Sequence, residues 1–260
     1  MSSEASTIAR VYVWEWPVRM THWLIALSLA VCAITGIYIG NPGLMRVMTW
    51  PGFTMGMTKV VHYYGAIVFT LTVLSRMAWM FLGNNYSRWD KFIPVHAKRW
   101  RALVPTIRFY LFRLRKPPGF VGHNPAAGLA YTLVFLLYGV MIITGIAMYS
   151  ASAAAAAPLK PFTFLIPLVG GLQTARWIHH VVMWLLIGFA VHHVYSAWLM
   201  SHVEGNGTME SIVSGFKFVP KEDLVYSGYR FIDRNDVPDA TLRKEISHAA
   251  THPAAYPGTR

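Results

Sequence analysis

Only one cysteine, Cys32, occurs among the 260 residues. A lone thiol excludes an intrachain disulfide, a cysteine-held iron–sulfur cluster, a cysteine-based zinc site and the C-x-x-C-H attachment of a covalent haem. Any redox group must then be held by histidine or without a covalent bond. Acidic residues are scarce as well, 11 Asp and Glu against 23 Lys and Arg, for a net charge of +12. Charged residues of both signs make up only 13% of the chain, against about 25% in soluble domains. With 55% hydrophobic residues and a mean hydropathy of +0.39, the composition is unlike that of a soluble protein. The pattern of a cleaved leader is also missing. Glu4 and Arg10 precede a polar-aromatic lead, and no small-residue cleavage site follows a short apolar core, so the first apolar run is expected to be retained.

Four apolar runs are present, at about 21–40, 60–82, 127–150 and 177–200. Each approaches the ~20 residues that a helix needs to cross a bilayer. The expected fold is an all-α membrane protein, a four-helix transmembrane bundle over residues 1–217, followed by a polar tail at 218–260. The basic residues sit beside these spans. Nine Lys and Arg fall between Arg88 and Lys116, and the tail carries Lys217, Lys221, Arg230, Arg234, Arg243 and Lys244. The positive-inside rule and anionic lipid headgroups explain this bias without nucleic acid. It places the 83–126 connection and both termini in the cytoplasm, and the 3–4 connection, with only Lys160 and Arg176, outside. Residues His96 to Arg115 mix bases with Trp100, Leu103 and Phe109, which predicts an interfacial amphipathic helix broken at Pro105. No internal repeat stands out.

The fourth run, WIHHVVMWLLIGFAVHHVYSAWLM, carries His179, His180, His192 and His193. Ionisable residues inside a membrane span are costly and mark functional sites. An α-helix turns about 100° per residue, so His179 and His193 fall within roughly 40° of one another, whereas the other pairings between the two ends of the run differ by roughly 120° to 140°. Those two share a face and lie roughly 21 Å apart along the axis. His22 stands one turn inside the first span, at the cytoplasmic end, and His62 one turn inside the second, at the outer end. Depth therefore pairs His62 with His179 and His22 with His193. Two histidines at each of two levels suit two stacked bis-His haem b irons; the alternative is packed, hydrogen-bonded histidines. His180 and His192 are expected to be ordinary neighbours at helix packing or headgroup level.

Two quieter signals accompany them. Arg76 follows His62 by 14 residues, so it shares that face at the cytoplasmic level. Its guanidinium either pairs with a propionate of the inner haem or reaches the headgroups. Before the third span, Asn124 and Pro125 form an N-cap and a first-turn proline. The functional alternative is that His123 and Asn124 hydrogen-bond a quinone carbonyl.

PVRMTHW (17–23), the stretch from His62 through GNNYSR (83–88), GHNPAA (122–127), ITGIAMYS (143–150), MWLLIGFAVHHVY (183–195) and SIVSGF (211–216) carry a likeness. Over residues 11–217 the chain resembles the b-type cytochrome subunit of membrane-bound nickel–iron hydrogenases. The gamma subunit of formate dehydrogenase and thiosulfate reductase cytochrome b look more distant. The resemblance implies two haems b, with iron ligands at His22, His62, His179 and His193, and quinone reduction. It implies as partners the small and large hydrogenase subunits at the outer face of a bacterial inner membrane, besides quinone and membrane lipids. Arg176 stands where that family often has a histidine.

The expected function is therefore an electron-transfer subunit that does not itself split hydrogen. It carries electrons from a periplasmic nickel–iron hydrogenase through two haems to quinone. The alternatives are the same cytochrome serving another periplasmic dehydrogenase or sulfur-compound oxidoreductase, a stand-alone quinol-oxidising cytochrome b, and a non-redox transporter or scaffold with structural histidines.

Overall fold

The computed structural model of the chain describes residues 8–43, 55–93, 97–111, 113–114, 121–152 and 157–220. Its order is strand β1 (Ile8–Tyr12), helices α1 (Trp16–Gly40), α2 (Met55–Leu82), α3 (Ala97–Tyr110), α4 (Pro125–Ser150), α5 (Leu165–Leu168), α6 (Leu172–Glu204) and α7 (Ser211–Ser214), and strand β2 (Phe216–Pro220). Short 3-10 turns lie at Trp89–Lys91 and Ala157–Phe164. Helices α1, α2, α4 and α6 are long and apolar enough to cross a membrane. Each extends past its apolar run because polar and aromatic residues continue the helix at the interface. α6, with 33 residues, is about 50 Å long, well beyond a hydrocarbon core of about 30 Å. Most of the expected tail, beyond Pro220, lies outside the described residues, as do His96, Phe112 and Arg115.

The chain divides into two compact units. One comprises Met20–Arg76 and Leu133–His193. Its core draws on all four long helices: Ile25 of α1, Phe69 and Val73 of α2, Val134 and Tyr138 of α4, Val182 and Leu186 of α6. Large side chains such as Leu27, Leu71, Leu133 and Leu185 remain exposed, which suits lipid and not water. Lipid tails are as apolar as leucine, so this core is held by van der Waals contact and interhelical hydrogen bonds. Hydroxyls in the spans satisfy themselves on the preceding turn, as Ser28 does on the Leu24 carbonyl at 2.6 Å and Thr72 on that of Val68 at 2.7 Å.

The other unit comprises Met1–Arg19, Met77–Thr132 and Val194–Arg260. Here β1 pairs antiparallel with β2, Ile8 opposite Pro220 and Tyr12 opposite Phe216. The sequence led us to expect only a polar lead and a tail at these places. Arg10 lies 3.7 Å over the Phe216 ring, and the Tyr12 and Phe216 rings meet at 5.0 Å. Gly215 makes the turn into β2 with φ +87°, a left-handed conformation natural to glycine. Its carbonyl accepts the amides of Val13 and Trp14 at 2.8 and 3.1 Å. Glu15 is the hub of this unit: one carboxylate oxygen accepts both the Trp79 indole N–H and the Asn84 amide at 2.9 Å. Asn84 in turn donates to the Val13 carbonyl at 3.0 Å and accepts the amides of Tyr86 and Ser87. The Trp14 indole donates to Ser211 Oγ at 2.9 Å. Motifs GNNYSR and SIVSGF therefore build this structural unit.

One expectation needs correction. Helix α3 runs through Pro105 without a break. A proline removes one backbone donor, here the partner of the Arg101 carbonyl. Arg101 is exposed, and an exposed turn tolerates a missing donor better than a buried one; Thr106 Oγ1 donates to the Ala102 carbonyl at 2.7 Å in the same turn.

Candidate haem site: paired histidines among four helices

His22, His62, His179, His193 and Arg76 all belong to the four-helix unit. The His22 ring of α1 and the His193 ring of α6 have centroids 6.1 Å apart, tilted by 55°. Phe189, one turn before His193, stacks on it at 5.6 Å and 10°, and Trp23 meets His22 edge-on at 5.2 Å. His22 Nδ1 is buried with no hydrogen-bond partner among the described residues. Arg76 is 6% exposed and close enough to His22 to act on it electrostatically, as His193 is. Arg76 thus lies inside the bundle.

His62 of α2 and His179 of α6 lie within electrostatic reach of one another. Each ring is anchored by a threonine from a neighbouring helix. His62 Nδ1 lies 2.8 Å from Thr35 Oγ1 of α1, and His179 Nδ1 lies 2.8 Å from Thr144 Oγ1 of α4. Both threonines are nearly sealed from solvent. A Cβ on Gly36 would lie 3.4 Å from His62 Cε1, and one on Gly145 would lie 3.5 Å from His179 Cε1. Each glycine thus lies beside the edge of an imidazole, at a distance where an added methyl group would be in ordinary van der Waals contact. The threonines were not among the residues singled out from the sequence, because a hydroxyl in a span reads as an ordinary back-bonded side chain.

The remaining histidines are placed differently. His180 packs against Gly40 of α1, where a Cβ would come within 2.5 Å of its Nε2. His192 is exposed. His123 and Asn124 belong to the other unit. The His123 ring is walled by Trp14 at 4.7 Å, Tyr131 at 4.8 Å and Phe92 at 5.5 Å. Asn124 Oδ1 accepts the Ala127 amide at 2.8 Å, which is the N-cap of α4. Its Nδ2 donates to the Tyr110 hydroxyl at 3.1 Å. Burial pushes the Tyr110 phenol above its usual range; the Asn124 hydrogen bond opposes this and Glu204 adds to it. Tyr110 therefore stays protonated at neutral pH.

The donor set fits haem. Among the described residues no group of three or more His, Cys, Asp or Glu converges, whereas a haem iron brings four nitrogens of its own and needs two axial ligands. Two imidazoles on opposite sides of one metal, with metal–nitrogen bonds of about 2 Å, have ring centres about 6 Å apart, as His22 and His193 do. The buried His22 nitrogen, unpartnered among the described residues, agrees with a further group between these rings.

Four apolar helices lined by paired histidines define a multi-pass membrane protein of the b-type cytochrome class. Residues 13–215 match the family described as prokaryotic cytochrome b561, and the chain belongs to that family. It is 34% identical over 223 residues to a Cupriavidus necator protein named "Probable Ni/Fe-hydrogenase B-type cytochrome subunit", covering 83% of this chain and 90% of that one. A relative from Escherichia coli K12, named "Probable Ni/Fe-hydrogenase 1 B-type cytochrome subunit", is 35% identical over 225 residues, 84% and 94% of the two chains. One from Azotobacter vinelandii, named as the first is, shares 34% over 215 residues, 80% and 88%. Membership of a b-type cytochrome family implies haem b.

Proposed function

We propose that this chain is the electron-transfer subunit of a nickel–iron hydrogenase complex in a bacterial inner membrane. It takes electrons at the outer face, carries them across two haem b sites and delivers them to quinone near the cytoplasmic face. The observation that carries this reading is the pairing of the buried His22 and His193 rings, 6.1 Å apart, which would hold a haem between them. When bound, haem b supplies a one-electron iron couple at each histidine pair. His22 and His193 hold the inner group, and His62 and His179 the outer one. Arg76, buried beside His22, supplies a guanidinium for a propionate on the inner side. The hydrogenase partner rests on the names of relatives that align over most of the chain.

Quinone is lipid-soluble and takes up protons on reduction, so its site belongs at the cytoplasmic interface. His123 and Asn124 begin the third span at that level. Asn124 Nδ2 donates a hydrogen bond to a carbonyl oxygen, and His123 relays a proton.

The test is purification of the chain in mild detergent. About two non-covalent haems b per chain are expected, both low-spin. His62→Ala or His179→Ala removes one and His22→Ala or His193→Ala the other, while His180→Ala and His192→Ala keep both. A wild-type chain with fewer than two haems overturns the two-site reading. Co-purifying hydrogenase subunits that reduce the haems with hydrogen support the partner; co-purification of a different dehydrogenase overturns it.

A further inference from the structure

The tetrapeptide Ile-Thr-Gly-Ile occurs twice, at 34–37 and at 143–146. The second copy opens the ITGIAMYS stretch that carries the family likeness, whereas the first has no local signal of its own in an apolar span. In the structure the two copies do the same thing. Thr35 reaches Nδ1 of His62 and Gly36 flanks Cε1 of that ring; Thr144 reaches Nδ1 of His179 and Gly145 flanks its Cε1. The partners match in position too. His62 is the eighth residue of α2, which starts at Met55, and His179 the eighth of α6, which starts at Leu172. Each copy lies within about two turns of the C-terminal end of its own helix, Gly40 in α1 and Ser150 in α4.

The hydroxyl geometry fixes which atom carries the proton. A threonine hydroxyl has one hydrogen. Thr35 Oγ1 lies 2.6 Å from the Val31 carbonyl, and Thr144 Oγ1 lies 2.7 Å from that of Val140. Two oxygens at such distances repel unless a hydrogen lies between them, so each hydroxyl donates backward to its own helix. Its lone pair then accepts from the histidine, and Nδ1 must carry the proton. In a neutral imidazole that leaves Nε2 with the free lone pair. Both rings are thus held in the same tautomer by a threonine, and His62 has the Cys32 backbone as a further hydrogen-bond partner. His22 lacks this arrangement, for its Nδ1 has no partner among the described residues.

We propose that the two Ile-Thr-Gly-Ile segments are matched sockets that fix His62 and His179 as Nε2 ligands of one haem iron, with Thr35 and Thr144 as positioning residues. This rests on the bis-histidine reading above. The threonine takes up the imidazole N–H and raises the basicity of the coordinating nitrogen. Cradling of this kind sets the outer site apart from the inner one and holds its iron toward the oxidised form.

The test uses the full chain in detergent with Thr35→Val, Thr144→Val and the two serine replacements. Valine keeps the shape and removes the acceptor; serine keeps the acceptor. Haem content and an optical redox titration are the readouts, the outer component being the one missing in His62→Ala. Each valine variant is expected to raise the midpoint of the outer component or to lower its haem affinity by about 10-fold or more. The inner midpoint stays unchanged, and each serine variant stays near wild type. Valine variants with unchanged haem content and midpoints overturn the proposal, as does an equal shift of both components. If a valine variant does not assemble, the serine variant decides: loss of the outer haem there too overturns the proposal, because the acceptor is retained. A wild-type chain that binds no haem b overturns the bis-histidine reading itself, a different outcome from any of these.

Discussion

Asn124 makes two hydrogen bonds with different atoms, and the proposed function gives the second atom a partner in quinone. Its carbonyl oxygen caps α4 and its amide nitrogen points at the Tyr110 hydroxyl. Aspartate keeps the capping oxygen and loses the amide donor, so the two roles separate. Asn124→Asp is expected to keep the thermal stability and both haem spectra while quinone reduction slows by about 10-fold, equivalent to ~1.4 kcal/mol. Asn124→Ala removes the cap as well and is expected to lose a further ~1 kcal/mol of stability. Thermal melts followed at the Soret band, together with quinone turnover, check both. Normal turnover in a stable Asn124→Asp chain would leave the motif as a helix cap alone. At this scale the sequence already offered both roles of Asn124, but not the Tyr110 partner, which lies 14 positions away in another helix.

At the scale of elements, the β1–β2 ribbon is the part least visible in advance. Five residues on each strand carry no strong alternation, and their pairing closes a loop of about 200 residues that no local pattern reports. Gly215 is its critical turn. A methyl group there would meet Tyr12 Cε2 at 2.7 Å and the Trp14 carbonyl at 2.9 Å, in a left-handed backbone that disfavours alanine by roughly 1–2 kcal/mol. Gly215→Ala is expected to lower the melting temperature and to speed amide exchange at Val13 and Trp14, whose N–H groups bond its carbonyl. The haem spectra should not change, because every candidate ligand belongs to the other unit. An unaltered melt would refute the strain argument. Helix α3 teaches the complementary lesson. Proline at 105 was read as a break from propensity alone, yet an exposed turn tolerates the missing donor.

At the scale of the whole molecule, β1 precedes the first long helix and β2 follows the last. Their hydrogen bonds require both flanks to lie on one side of the membrane, which needs an even number of crossings; the four spans satisfy it. The basic residues between Arg88 and Lys116 lead us to expect that side to be the cytoplasm. With Cys32 replaced by serine, single cysteines report sidedness directly. Arg113→Cys is expected to react with a membrane-impermeant thiol reagent only from the cytoplasmic face, and Lys160→Cys only from the outer face; both residues are exposed. The opposite pattern would reverse the orientation and with it the assignment of the two haem levels. What the sequence determined by itself was one-dimensional. Hydropathy over about 20 residues marks a span, a turn of 100° per residue sets which histidines share a face, and charge bias orients the whole, all properties of a single helix in a bilayer. Only the tertiary structure decided that Thr35 of α1 meets His62 and Thr144 of α4 meets His179, that Glu15 bonds Trp79 and Asn84, and that Ser211 bonds Trp14. Those are hydrogen bonds between residues 27 to 197 positions apart, and their partners are selected by packing, which leaves no periodic trace along the chain.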